Sequence, residues 1–317
     1  MDHLFKQLHQ AIRQADRILL TMHQKPDGDA LGASSAMFNW LLRENKNVTA
    51  FCVDAPARMF GYLDNIHRYT QDPKIFDQPY DLMIVLDSGD LRVCGITDLL
   101  PRLPAGYQIA NLDHHLTNTR YGHFNLVMPE ASSASEVVFH FFETNNIFID
   151  AAMATSLLTG VLTDTNNFST SSTSAESLQI ASRLFSAGAR YHEIAQRIHN
   201  YQSVDTLKLW GKLLSRLNHN AKYDMATTYI LLEDLKGLPP GLEDGLANFL
   251  SSMISQVDAI MVLKELSTGE VKGSLRSKTR DVSKLAQRLG GGGHKLAAGF
   301  TVKGRIKVTP QGPQIIN

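Results

Sequence analysis

A chain of 317 residues with 31 basic and 31 acidic side chains carries no formal net charge, which argues against a grip on long nucleic acid through many neutralised phosphates. The length exceeds a comfortable single core, so two domains are expected. Only Cys52 and Cys94 occur, no basic-then-apolar leader opens the chain, and no apolar run reaches the roughly 18 residues of a membrane span. The expectation is a cytoplasmic protein without disulfides or a membrane partner.

In chain order, residues 3–15 read as a helix and residues 17–22 as a buried strand. That strand runs into His23-Gln-Lys-Pro-Asp27-Gly-Asp29, two carboxylates and an imidazole in one tight turn. Such a density of negative charge repels itself unless a cation neutralises it. Residues 31–44 read as a helix and residues 47–53 as a strand. Two further apolar strands follow: one ends at Asp87-Ser-Gly-Asp90, the other at Asp113-His114-His115. The apolar stretch 156–164 delivers one more carboxylate, Asp164. Thr173-Ser-Ala-Glu176 matches a capping box and opens a helix that stops at Gly188.

This alternation predicts an α/β fold with a doubly wound, mainly parallel sheet over residues 1–188. Ligands of such sheets gather at the carboxyl ends of the strands, so the three charged turns that follow strands converge by topology. Residues 189–217, rich in helix formers, are expected to be a helical linker. Residues 218–317 change texture to strands, at 225–232, 259–266 and 271–277, the last two flanking a Ser267-Thr-Gly269 hairpin turn. A helix over 282–289 then runs into Gly290-Gly291-Gly292-Gly293-His294. This third segment is expected to be a smaller α/β substrate-binding domain. Four successive glycines cost conformational entropy, which points to close backbone approach, and exposed N–H groups there can cradle an anion. Nearby Arg276 offers a guanidinium for bidentate phosphate contact.

His with Asp, and no Cys, is the ligand set of a borderline-to-hard divalent ion held for hydrolysis rather than of a closed zinc site. The ligands in these clusters exceed the needs of one ion, so two are expected.

The ordered series His23-x-x-Pro-Asp27-Gly-Asp29, Asp87-Ser-Gly-Asp90, Asp113-His114-His115 and Thr163-Asp164-Thr165 resembles the DHH phosphoesterase superfamily. The Gly290–His294 run is similar to the hallmark of the DHH-associated C-terminal domain. Together they resemble the oligoribonuclease and phosphoadenosine-phosphate phosphatase (NrnA-like) branch over essentially the whole chain. The resemblance implies one ion on His23, Asp27 and Asp87 and another on Asp29, Asp87, His114 and Asp164, with Asp87 shared. It also implies a substrate-facing His115 and nucleotide contacts from Arg276, Gly291, Gly292, Gly293 and His294. Asp113 reads as the carboxylate that orients an imidazole, and with Asp87, His114 and His115 completes the expected catalytic set. Asn118 reads equally as a phosphate contact and as a turn former. Mixed His/Asp ligation favours Mn²⁺, with Mg²⁺ or Co²⁺ able to substitute. Asn166-Asn167-Phe168 stands where many relatives have Gly, and Asn tolerates the left-handed backbone such a turn needs.

The implied activity is hydrolysis of very short oligoribonucleotides (nanoRNA), of adenosine 3′,5′-bisphosphate, or of both. Its substrate partner is then a short RNA or small nucleotide, and monomer and homodimer both fit the sequence. The alternative within enzymes is a cyclic or linear dinucleotide phosphodiesterase of the cyclic di-AMP type. The alternative outside them is a nucleotide sensor without turnover, which would not need a full hydrolytic ligand set. A family II pyrophosphatase shares the metal motifs, but the glycine run speaks against it.

Overall fold

Apolar residues at both odd and even positions of a strand require burial on both faces, and the first half of the chain meets that requirement with a covered parallel sheet. The structure, a computed structural model, describes residues 1–170, 172–198, 203–239, 241–243, 245–309 and 312–316, with His294 described by its backbone. It divides into two compact units, Met1–Tyr201 and Gln202–Asn317.

The first unit contains α1 (Asp2–Gln14), β1 (Arg17–Met22), α2 (Gly28–Arg43), β2 (Asn47–Ala50), β3 (Leu82–Leu86), β4 (Gln108–Asp113), β5 (Phe124–Val127), α3 (Ala134–Thr144), α4 (Ala151–Asp164), α5 (Ala175–Ser186) and α6 (Tyr191–Ile198). The strands lie in the order β2-β1-β3-β4-β5 and every pairing is parallel. Strand order therefore reverses at β1, and the crevice beyond the carboxyl ends of β1 and β3 is the switch point where open α/β sheets bind ligands. Ile18, Leu20 and Met22 join the core beneath the helices, together with Ile84, Leu86 and Leu112. Leu19, Met83 and Val85 point the other way, into a second core with Phe51, Phe76 and Leu103. Short 3-10 turns at Pro73–Asp77, Leu91–Cys94 and Leu100–Arg102 contribute to that side.

The apolar stretch 156–164 forms the second half of α4, buried from Met153 to Leu162. One local expectation is corrected. The cap of α5 is Ser174, not Thr173: its hydroxyl accepts the Ser177 N–H while the Ser177 hydroxyl accepts the Ser174 N–H, each at 3.0 Å. Reciprocal hydroxyls satisfy both backbone donors, so Glu176 is free of the capping role.

The second unit contains α7 (Val204–Leu214), β6 (Asn218–Asn220), β7 (Met225–Ile230), α8 (Leu246–Met253), β8 (Ala259–Glu265), β9 (Glu270–Ser277), α9 (Ser283–Arg288), β10 (Gly292–His294), β11 (Ala297–Lys303), β12 (Arg305–Thr309) and β13 (Gly312–Ile316). Six strands form a sheet in the order β10-β11-β9-β8-β7-β6, antiparallel except for β7 beside β8, and β12 pairs with β13. Leu209, Trp210 and Leu213 of α7 pack with Leu246 and Leu250 of α8 over one face, and Val282, Ala286 and Phe300 cover the other. The segment expected as a linker thus supplies each unit with a helix, because Ile194 of α6 joins the first core and the α7 residues join the second. No described helix is long and apolar enough to cross a membrane.

Candidate metal centre

Each charged turn of the first unit is aimed by the element before it. His23 follows β1 directly, and its Nδ1–H donates to the Gln24 carbonyl at 2.7 Å. That bond leaves Nε2 facing the carboxylates, 3.4 Å from Asp87 Oδ2 and 3.8 Å from Asp27 Oδ1. Asp27 caps α2, its Oδ1 accepting the N–H groups of Asp29 and Ala30 at 3.0 and 3.1 Å. Asp29 sits in the first turn of α2, fully buried, and its carboxylate accepts the Ala134 and Ser135 N–H groups at 2.5 and 2.9 Å. The N-terminus of α3 is therefore the electrostatic seat of Asp29. Sequence reading missed that seat, although Ser133-Ala-Ser-Glu136 carries the signature of a helix start.

Asp87 follows β3 with φ of 50°, a left-handed backbone that a non-glycine residue holds only under constraint. Its carboxylate is buried, with Oδ1 3.6 Å from both His114 Nε2 and His115 Nδ1. That oxygen has no hydrogen-bond partner. His114, past the end of β4, turns Nδ1 toward the Ala131 carbonyl at 3.3 Å. Its Nε2 lies 3.3 Å from Asp164 Oδ2, 3.6 Å from Asp87 Oδ1 and 3.9 Å from Asp29 Oδ2. Asp164 arrives on the last turn of α4. After it, Asn166, Asn167 and Phe168 all take positive φ, at 45°, 56° and 61°, so the turn expected to tolerate asparagine forms as a left-handed one.

Among the described residues, the atoms that could hold a metal ion fall into three overlapping groups, each within 4.8 Å: His23, Asp27 and Asp87; Asp29, His114 and Asp164; Asp87, His114 and His115. The protonation equilibria record the same crowding. Burial, then the charges of Asp87 and Asp164, push the Asp29 carboxyl up. Burial lifts Asp164 to about 6 against the pull of His114, with Asp87 and Asp27 adding to the rise. Burial opposes a charged His23, but hydrogen bonds to Asp27 and Asp87 outweigh it and raise the imidazole to about 11. Burial likewise opposes a charged His114, yet Asp87 and then Asp29 raise it to about 10. Two carboxyls, Asp29 and Asp164, and two imidazoles, His23 and His114, are thus shifted toward holding protons, the positions a divalent cation replaces when it binds. An unpartnered buried carboxylate oxygen amid Asp and imidazole donors fits a resident divalent metal.

The remaining predicted residues occupy separate places. Asp113 is fully buried and its Oδ1 accepts from His115 Nδ1 at 2.7 Å, while the His115 side chain is 48% exposed. Asn118 turns its amide inward, donating to Asp113 and Asn111, while its Oδ1 accepts the Arg120 N–H of its own turn. Asp90 is engaged by Arg92, at 3.0 and 2.8 Å.

In the second unit, Arg276 donates from Nε to Asn248 Oδ1 at 2.7 Å and borders a cavity of about 230 Å³ with Lys264, Lys272 and Ser274. The glycine run is not an open loop throughout. Gly290, at φ of 74°, ends α9, and Gly292–His294 is an edge strand on β11. A Cβ on Gly291 would meet the Gly299 carbonyl at 2.1 Å, and one on Gly293 the Ala297 carbonyl at 2.6 Å, so these two are glycines because β11 is close. Of the two strand glycines, Gly292 faces open space. The His294 side chain lies outside the described residues.

A parallel sheet with a His/Asp cluster at its switch point defines a metal-dependent phosphoesterase fold, and comparison with known proteins agrees. The DHH family, N-terminal domain, matches residues 17–161, and the DHHA1 domain matches residues 227–311. A bifunctional oligoribonuclease and PAP phosphatase NrnA from Thermus thermophilus is 32% identical over 291 residues, covering 90% of this chain and 84% of the relative. The crystal structure of an exopolyphosphatase-related protein from Bacteroides fragilis superposes with a TM-score of 0.87 at 26% identity, covering 95% of this chain and 91% of that one. Exonuclease RecJ bound to manganese shares the fold at a TM-score of 0.50 and 18% identity, covering 95% of this chain and 90% of that one. The chain belongs to the DHH family of phosphoesterases. Within that family it falls in the NrnA-like branch.

Proposed function

We propose that this protein is a cytoplasmic, dinuclear-metal phosphohydrolase that degrades very short oligoribonucleotides and adenosine 3′,5′-bisphosphate. The observation that carries the reading is Asp87: a buried carboxylate common to two of the three ligand groups, with one oxygen unpartnered. His23, Asp27 and Asp87 would hold one ion and Asp29, Asp87, His114 and Asp164 the other, Mn²⁺ preferred. Ions held there would supply Lewis acidity and activate a water for attack at phosphorus.

The protein's own groups do the positioning. Gln24 and Ala131 fix the His23 and His114 rings so that both Nε2 atoms face the carboxylates. The α3 N-terminus donates two N–H groups to the Asp29 carboxylate and so fixes its position. His115, half exposed and tied to Asp113, faces the scissile phosphate. Arg276, with the segment Gly291, Gly292, Gly293 and His294 beside β11, recognises the nucleotide. The neutral overall charge supports a small substrate, because long strands demand charged grooves and stacking aromatics.

Purified protein should release mononucleotide from a 5′-phosphorylated diribonucleotide, and phosphate from adenosine 3′,5′-bisphosphate, when Mn²⁺ is supplied, with both activities abolished by chelator. Turnover of neither substrate, or turnover that survives chelation, would exclude this function.

A further inference from the structure

Behind the His115 imidazole a line of side-chain hydrogen bonds runs into the interior of the first unit. Asp113 Oδ1 accepts from His115 Nδ1 at 2.7 Å, and Asp113 Oδ2 accepts from Asn118 Nδ2 at 2.5 Å. The same Asn118 nitrogen donates to Asn111 Oδ1 at 2.6 Å. Asn111 Nδ2 in turn donates to the Tyr121 hydroxyl at 2.9 Å and the Ser88 carbonyl at 3.1 Å, and the Tyr121 hydroxyl donates to Ser88 O at 2.9 Å. The Asn118 amide cannot be reversed, since its Oδ1 accepts the Arg120 N–H at 2.7 Å. Its loop is fastened from both sides, through Asn118 N–H to His115 O at 3.0 Å and Thr119 N–H to Gly89 O at 2.9 Å.

A turn-forming asparagine uses its side chain on its own backbone. Asn118 does that with its oxygen alone and directs both amide hydrogens at buried acceptors. The consequence lies at Asp113. A carboxylate that accepts an imidazole N–H selects which ring nitrogen keeps the proton, but only if its own rotamer is fixed. With a single partner, the Asp113 carboxylate could rotate about χ2 and release the ring. Asn118 closes that freedom by occupying the second oxygen, and Asn111 and Tyr121 anchor Asn118 to the end of β3.

We propose that Asn118, backed by Asn111 and Tyr121, is a positioning residue that locks the Asp113 carboxylate and so holds the His115 ring with its Nδ1–H on Asp113, leaving Nε2 as the atom that takes up or gives a proton at the substrate. The inference rests on the proposed hydrolysis for its kinetic consequence, but its structural consequence is readable in metal-free protein without substrate.

The test combines ring-nitrogen NMR of His115 in metal-free protein with steady-state kinetics and Mn²⁺ calorimetry on Asn118→Ala, Tyr121→Phe, His115→Ala and the Asn118→Ala/His115→Ala double variant. Loss of an orienting partner is expected to lower kcat by about 10–100-fold. KM and Mn²⁺ affinity should stay at wild-type values, and the His115 signals should shift from the Nδ1–H tautomer to a mixture. In the His115→Ala background the Asn118 substitution should have no further effect. Tyr121→Phe keeps the packing and removes only the distant hydroxyl, so it should show a smaller tautomer shift and serves if Asn118→Ala does not fold. An unchanged tautomer in the folded variant, or an equal kcat loss with and without His115, would overturn the proposal. A tautomer shift in a protein that turns over no nucleotide would leave it standing and refute the proposed substrate instead.

Discussion

Replacing Gly160 by alanine tests how tightly α4 is built against the centre. In an open helix interior the change stabilises by about 1 kcal/mol, since alanine loses less backbone entropy. Here the new methyl would lie 1.9 Å from Ser135 Oγ, 2.4 Å from Asp29 Oδ1 and 2.7 Å from Ser135 Cβ. Ser135 Cβ stays with the α3 backbone, whereas the Ser135 hydroxyl has no hydrogen-bond partner and can rotate away. The Asp29 oxygen cannot, because Ala134 and Ser135 N–H groups hold the carboxylate. Restoring an ordinary contact of about 3.4 Å from 2.4 Å requires a displacement of about 1 Å at that carboxylate. Overpacking of this kind costs about 1–3 kcal/mol. The net effect is therefore a destabilisation of about 0–2 kcal/mol in place of a gain of about 1, which lowers Tm or leaves it level. Moving a ligand carboxylate should also weaken Mn²⁺ binding by about 10–100-fold. Thermal melts and calorimetric Mn²⁺ titrations of Gly160→Ala measure both. A raised Tm with unchanged Mn²⁺ affinity would refute the packing argument and the placement of Asp29 among the ligands.

Other outcomes follow from the same geometry. Asp87→Ala should reduce turnover by several orders of magnitude and bring bound metal below two ions per chain, because both ions lose a ligand; elemental analysis with dinucleotide assays checks this. Arg276→Ala should leave metal content intact and weaken nucleotide turnover by about 1.5–3 kcal/mol, with a generic aryl phosphodiester much less affected; equal losses would deny Arg276 a role in recognition. Asp234 is depressed to about 2, burial being outweighed by Arg216 and then Lys212, and Arg216 and Lys212 both bond it, with its side chain 0% exposed. Its lowered pKa makes the contribution present above the unfolded value of about 3.9 and lost as pH falls toward 2. Asp234→Asn should cost on the order of 2 kcal/mol at pH 7, and the gap to the parent should close between about pH 4 and 2 in denaturant titrations.

The charged turns were readable because β1, β3 and β4 are mostly apolar runs that stop at a charge, with burial on both faces. The helical nature of residues 156–164 was not readable. Met153 to Leu162 are buried on all sides, so no polar face marks a helical period, and Thr and Gly weaken the propensity signal. Strand order is likewise a tertiary choice that no single segment encodes, and it alone brings β1, β3 and β4 side by side. The glycine run was legible as a demand for close approach, but the approach at Gly291 and Gly293 is made by β11 of the same sheet. Asn118 looked like any turn asparagine, because the carboxylate it holds becomes its neighbour only once β4 and the loop after it have folded.

The proposed two-ion centre around Asp87 is tested most directly by crystals grown with Mn²⁺ and measured at the manganese absorption edge. Two anomalous peaks about 3.5–4 Å apart are expected, both within bonding distance of the Asp87 carboxylate, one beside His23 and Asp27 and the other beside Asp29, His114 and Asp164. A single peak, or peaks that do not share Asp87, would contradict it.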